Sequence, residues 1–255
     1  MSGLVKLCGV VLRAVDYGES DRIVTLFTAE RGKVAFFARG ARASRRRFGG
    51  TLELFTVVAA EARERRGGDL LGLESVAVVR AFPAIRGDLA RIGCAGYACD
   101  LARNLVHEGE QAPELLALLE AYLFRLEAAP AEPTGLRAYE LKALEAAGLM
   151  PRLAECASCG RDPGVGVARV RFDPAEGGAL CPACSGGRRA TLELSRETLL
   201  ALARLQREGL EEAARTPLAP SQAREAREAL SAFIEYQLGA PLASRRFLDE
   251  VGKVL

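Results

Sequence analysis

Tryptophan is absent from this 255-residue chain, methionine occurs twice and histidine once. No Ser/His/Asp set and no paired acids in a recognisable context can be assembled, so catalysis has nothing to stand on and the chain is not expected to be an enzyme. The single histidine, His107, falls at an expected helix end, where it reads as a C-terminal charge partner rather than a catalyst. A Walker A phosphate loop is missing, which argues against ATP hydrolysis. Gly164-Val165-Gly166 lacks the third glycine of a dinucleotide fingerprint and does not open a helix. Long apolar runs are missing as well. The N-terminal stretch Leu4–Val15 is interrupted by Lys6 and Arg13 and has no small-residue cleavage site. Neither a membrane span nor a signal peptide is expected, and a cytoplasmic location follows. Seven cysteines, an odd number in such a chain, argue against a disulfide framework. Three of them, Cys8, Cys94 and Cys99, read as small buried hydrophobes.

Net charge is only +2 over the whole chain, but it is unevenly placed. Residues 1–80 carry +5 and residues 81–150 carry −4. A basic module of this kind can meet a polyanion, and its acidic neighbour should keep away from one.

The basic module reads as β-structure. Leu4–Val15, Arg22–Thr28, Lys33–Ala38, Thr51–Ala60 and Leu70–Val79 are β-branched or apolar runs. Turn residues at Asp16–Ser20, Arg31-Gly32 and Arg65–Asp69, with a loop at Arg39–Gly50, separate them. Five short strands suit a small closed barrel, which removes exposed edges, and an OB-fold is the commonest five-stranded answer. From residue 84 the apolar spacing becomes helical. Helices are expected over Ile85–His107, Pro113–Glu127 and Leu136–Ala147, the last capped by Thr134 and stopped at Gly148. Ser195 with Thr198 should start another helix, and Ser221 a long one over Gln222–Leu238. The expected architecture is multidomain α+β. Residues 1–80 form an OB-fold β-barrel, 81–150 with 191–255 a helical domain, and 151–190 an inserted four-cysteine zinc module.

Cysteine is scarce elsewhere but concentrated in that insertion. Cys156-x2-Cys159 is followed, after 21 residues, by Cys181-x2-Cys184. Two such knuckles bring four soft thiolates to one tetrahedral ion at about 2.3 Å each. The segment between them, with Val165–Phe172 as a strand pair and Gly177-Gly178 as a turn, suits a zinc ribbon. Four sulfurs fill the coordination shell and leave no open position for substrate, so one structural zinc per chain is expected. A Gly-rich segment of about 40 residues makes little core, so the metal should supply its folding free energy.

Arginine is the other concentrated residue. Arg39, Arg42, Arg45, Arg46 and Arg47 crowd nine positions, with Lys33 one strand upstream. Such clusters neutralise phosphates and release counterions without reading sequence. These six residues are the expected DNA contacts. Tyr17, Phe36, Phe37 and Phe48 are the available stacking aromatics, and alternation puts at least one of them in the core.

Several ordered motifs together resemble the RecO family of bacterial recombination mediators. They are Tyr17-x-Glu19-x-Asp21, Phe27-Thr28 with Gly32-Lys33, Ala38-Arg39-Gly40-Ala41-Arg42, and Leu52-Glu53-Leu54-Phe55. Tyr139-Glu140-Leu141-Lys142, Ala147-Gly148, Pro151 and Leu153 then lead into Cys156, and Leu238-Gly239, Pro241-Leu242, Ser244-Arg245 and Phe247-Leu248 close the series. The resemblance implies an N-terminal OB-fold, a helical domain and an inserted zinc module. It also implies binding of single- and double-stranded DNA and annealing of complementary strands at the bacterial nucleoid. The implied partners are RecR, single-stranded-DNA-binding protein and, indirectly, RecA. Family members lacking some of the cysteines exist, so the metal is not needed for the activity in general. A zinc-ribbon interaction module of transcription or translation is a competing reading, and a metalloenzyme a third.

Overall fold

The computed structural model describes residues 3–64, 70–187 and 191–251, without the side chains of residues 45, 46 and 251. It divides into two compact units, 1–130 and 131–255. The turn expected at Arg65–Asp69 lies outside the described residues.

The first unit opens with β1 (Leu4–Tyr17), β2 (Asp21–Thr28) and β3 (Gly32–Ala38). The short helix α1 (Arg45–Phe48) leads to β4 (Val57–Arg63) and β5 (Leu71–Arg80). The strands close a barrel in the order β1-β2-β3-β5-β4, with β4 returning antiparallel to β1. Closure needs one strand long enough to pair on both sides, and β1 is 14 residues long. Its register shifts between Val11 and Arg13, a bulge that lets the strand bend around the barrel. Leu7, Val11, Val24, Leu26, Phe36, Val58, Ala60, Ala62 and Leu73 alternate inward, and Phe48 and Leu52 pack with them. The OB-like barrel expected from the sequence is what forms.

The expected strand over Thr51–Ala60 begins only at Val57. Thr51–Phe55 forms turns because Leu52 and Phe55 are both buried without strand alternation. Phe55 adopts a left-handed backbone, φ 66°, while its N–H still donates to the Val11 carbonyl at 3.2 Å beside the bulge. Cys8 also differs from expectation. It faces outward on β1 and is exposed, whereas Cys94 and Cys99 are buried.

Three helices complete this unit: α2 (Pro83–Arg86), α3 (Leu89–Leu105) and α4 (Pro113–Ala128). The single helix expected over Ile85–His107 breaks at Gly87-Asp88 because Asp88 serves as the N-cap of α3, accepting from the Arg91 N–H at 3.0 Å.

The second unit begins with α5 (Pro133–Ala146). Its cap is Glu132, which accepts from the Gly135 N–H at 2.9 Å, rather than Thr134. Thr134 is buried, and its Oγ1 accepts from the Leu218 N–H at 2.8 Å. Then come β6 (Arg169–Asp173), β7 (Gly178–Leu180), α6 (Pro182–Ser185) and β8 (Leu192–Ser195). The strands form an antiparallel sheet in the order β7-β6-β8. Helices α7 (Arg196–Arg207), α8 (Leu210–Ala213), α9 (Pro220–Leu238) and α10 (Arg245–Val251) follow. Ser195 caps α7 as expected, accepting from the Thr198 N–H at 3.2 Å. Helix α9 starts one residue before Ser221, with Pro220 in its first turn and the Gln222 side chain accepting from the Ala219 N–H. Leu141, Leu202, Leu205, Leu230 and Phe233 are fully buried among these elements, and the Phe233 ring meets Phe172 of β6 edge-on at 6.1 Å.

Candidate metal centre and nucleic-acid interface

Four sulfurs converge in the second unit. The Sγ atoms of Cys156, Cys159, Cys181 and Cys184 lie within 4.8 Å of one another, and those of Cys159 and Cys181 are 3.6 Å apart. A tetrahedral ion with metal–sulfur bonds of about 2.3 Å needs sulfurs roughly 3.8 Å apart. The cluster therefore has the dimensions of a four-thiolate metal site, and these four residues are the ones that would hold an ion.

Local backbone geometry builds the site. Cys156 ends the segment after Pro151, where Arg152 bridges to Gly178 of β7. A side chain at Gly178 would place its Cβ 2.2 Å from the Arg152 carbonyl oxygen, so only glycine allows this approach. The first knuckle turns back through Gly160, φ +75°, whose N–H donates to the Cys156 carbonyl at 2.9 Å. Ala157 N–H donates to the Ala179 carbonyl at 2.8 Å, which joins the first knuckle to the strand entering the second. The Cys181 N–H donates to the Cys156 sulfur at 3.3 Å.

These contacts set the thiol chemistry. Burial pushes the Cys156 thiol up, but the backbone N–H groups of Cys181, Cys159 and Ser158 outweigh it and hold the thiol below its usual value. Cys159 is pulled down to about 6, chiefly by the Arg161 guanidinium, whose Nε donates to its sulfur at 3.4 Å. Cys184 is pushed up to about 11, mainly by its contacts with the Cys159 and Cys181 sulfurs. Packed sulfurs resist carrying negative charge together, and a cation among them removes that conflict. Arg161 was not legible as a participant. Its only sequence signal is its place two residues after the first knuckle.

The arginine segment sits at one end of the barrel. Arg39 follows the last residue of β3, is exposed, and has no ion pair among the described residues. Arg42 reaches back over the β1–β2 turn, donating to the Glu19 carbonyl at 3.0 Å and pairing with Asp16 at 3.3 Å. Arg47 lies over the Phe48 ring at 4.8 Å and donates to the Glu74 carbonyl at 3.0 Å. Arg45 and Arg46 lie in α1, and their side chains fall outside the described residues. Lys33 is placed apart from this group. Its Nζ donates to the Arg103 carbonyl in the last turn of α3 at 3.0 Å, and burial pulls its pKa below the usual lysine range. Its charge meets a helix C-terminus, where a cation is stabilising. Of the four aromatics, Phe36 and Phe48 are core, while Tyr17 is 56% exposed and meets Phe37 edge-on.

A closed five-stranded barrel followed by a helical region with a four-cysteine cluster describes a modular protein. The family model described as "Recombination protein O N terminal" matches residues 1–82, and that described as "Recombination protein O C terminal" matches residues 86–246. The chain is 65% identical to the "DNA repair protein RecO" of Anaeromyxobacter sp. (strain K) over 251 residues, covering 98% of each chain. It is 47% identical to the protein of that name from Myxococcus xanthus, covering 95% of this chain and 96% of that one. With the protein of that name from Symbiobacterium thermophilum it shares 38% identity over 96% of this chain and 97% of the other. The chain belongs to the RecO family of DNA repair proteins. No helix among the described residues is long and apolar enough to cross a membrane.

Proposed function

We propose that this protein is a recombination mediator that binds single- and double-stranded DNA, anneals complementary strands and carries out no covalent chemistry. With RecR it would help RecA displace single-stranded-DNA-binding protein at the nucleoid, in the bacterial cytoplasm. The observation that carries the reading is the basic end of the barrel, where Arg39 and Arg42 before α1 and Arg47 within it are exposed in a chain of this family. Annealing brings two polyanions together, and a basic surface lowers their repulsion without reading bases. We assign Arg39, Arg42, Arg45, Arg46 and Arg47 to phosphate contact, with Lys33 contributing local potential only. We assign the four cysteines to one structural Zn2+, because soft thiolates in a tetrahedral set favour it.

Annealing of complementary oligonucleotides by the purified protein, with and without RecR, tests the reading. Faster annealing than in buffer is expected, and no acceleration at any protein concentration would overturn it. Replacing the five loop arginines by alanine together should flatten the salt dependence of single-strand binding by roughly 0.7 per lost phosphate contact. An unchanged slope would remove the loop from the interface. Elemental analysis of protein prepared without added metal should find close to one zinc per chain.

A further inference from the structure

The outer face of β1, β2 and β3 forms a grid beside the arginine segment. Val15, Ile23 and Phe37 stand in one cross-strand row, and Arg13, Thr25 and Ala35 in the next toward the barrel middle. At the outer end, Tyr17 is opposite Asp21, and Arg39 continues β3 one residue beyond the Arg22–Ala38 pair. Tyr17 and Val15 are 56% and 40% exposed. The Tyr17 and Phe37 rings are 5.8 Å apart at 78°, which fixes one against the other. Both ends of this apolar strip are cationic. Arg13 and Arg39 are exposed, and neither guanidinium has a partner among the described residues. The one acid in the grid is engaged, since the Asp21 carboxylate accepts from the Gly40 N–H at 2.7 Å and the Ser20 hydroxyl at 3.1 Å. An apolar strip with Tyr17 exposed and Phe37 half-buried, set between two arginines, matches a strand whose bases present flat apolar faces and whose phosphates are anionic.

We propose that the Tyr17–Phe37 pair is a stacking platform for unpaired bases, which gives the barrel a preference for single strands, with Arg13 and Arg39 holding the flanking phosphates. The proposal rests on the DNA-binding reading above and deepens it. The loop arginines meet phosphates, which single strands and duplexes share. The platform meets base faces, which a duplex hides within its own stack. An annealed product therefore loses the platform contact while keeping the phosphate contacts, and annealing weakens the protein's hold on its own product.

Affinities of the full chain for an oligo(dT) and for a mixed-sequence duplex of equal length test this. Tyr17→Ala should weaken oligo(dT) binding by about tenfold, the loss of one base–aromatic stack. It should leave duplex binding within about twofold, since phosphate contacts carry that term. The single-strand deficit should be the same at low and high salt, because stacking releases no counterions. Tyr17→Phe should retain the affinity. Arg39→Ala should weaken both ligands. Tyrosine emission gives a second readout, since the chain has no tryptophan and Tyr97, Tyr122 and Tyr139 are buried. Oligo(dT) should quench the emission of the wild type and of Tyr236→Phe, and not that of Tyr17→Phe. Unchanged oligo(dT) binding by Tyr17→Ala, or equal losses on both ligands, would overturn the platform while leaving DNA binding intact. A wild type that binds neither ligand would overturn the underlying reading and the platform with it.

Discussion

Single residues carry constraints of two kinds here, and only one kind shows in the sequence. The four cysteines are legible because both their chemistry and their spacing are local. Gly32 is different. Its φ is +61°, and a Cβ there would lie 1.7 Å from the Glu110 carbonyl oxygen, an atom far along the chain. Gly18 has a similar φ of +60° but open space around it. Gly18→Ala should therefore cost about 1 kcal/mol for the backbone alone. Gly32→Ala should cost clearly more, on the order of 3 kcal/mol with the displaced backbone included. Urea unfolding of the two variants checks this, and equal losses would mean the Glu110 segment yields freely. The same division separates the two candidate interfaces. The arginine cluster was visible as a run, whereas the Tyr17–Phe37 pair depends on strand register and the diversion of Lys33 depends on where α3 ends.

At the level of elements, the periodic segments were readable and their boundaries less so. Strands β1, β2, β3 and β5 follow their apolar runs, because alternation and turn residues coincide there. Thr51–Phe55 misleads because Leu52 and Phe55 are buried from turns. Strand β8 is four residues long and runs straight into α7, so its pattern merges with the helix start. What fixes that junction is distant in sequence. Glu225 on α9 accepts from the Ser195 N–H and the Ser195 hydroxyl, both at 2.8 Å, and from the Thr198 hydroxyl at 2.5 Å. Its other oxygen pairs with Arg169 of β6 at 2.9 Å. Burial raises the Glu225 pKa, but the Thr198 and Ser195 donors and Arg169 outweigh it and hold the carboxyl below its usual range. A carboxyl depressed by folding stabilises the fold above its unfolded pKa near 4.3 and loses that effect as pH falls through the lower folded value. Glu225→Gln should therefore destabilise the protein by about 1–2 kcal/mol at pH 7. The difference from wild type should shrink as the pH falls below about 4. Thermal melts of both proteins across that range decide it, and a constant difference would assign the effect to packing instead of charge.

For the whole molecule, the order of barrel, helices and cysteine cluster was legible because each module announces itself by a different period or residue type. The division of the chain at Pro130 was not, since helices α2 to α4 share their apolar spacing with those that follow but belong by contact with the barrel. This division bears on what the proposed zinc would do. The buried cluster around the thiolates consists of Cys156, Leu180 and Cys181, with Ala157 and Cys184 against it. So little apolar surface cannot order the knuckles alone, and in small modules structural zinc contributes on the order of 10 kcal/mol. The barrel has its own core of Val11, Leu26, Phe36 and Val58 and needs no ion. Removing the metal with a chelator should thus open the segment between Pro151 and Ser185 to protease while the strands of the barrel stay resistant. Single-strand affinity should change by less than about threefold, because the proposed phosphate contacts all lie in the first unit. Limited proteolysis with mass mapping, run beside a binding titration on the same chelated sample, measures both. Parallel loss of DNA affinity and cysteine-segment order would show that the metal centre supports the interface, and its role would then extend beyond holding its own module together.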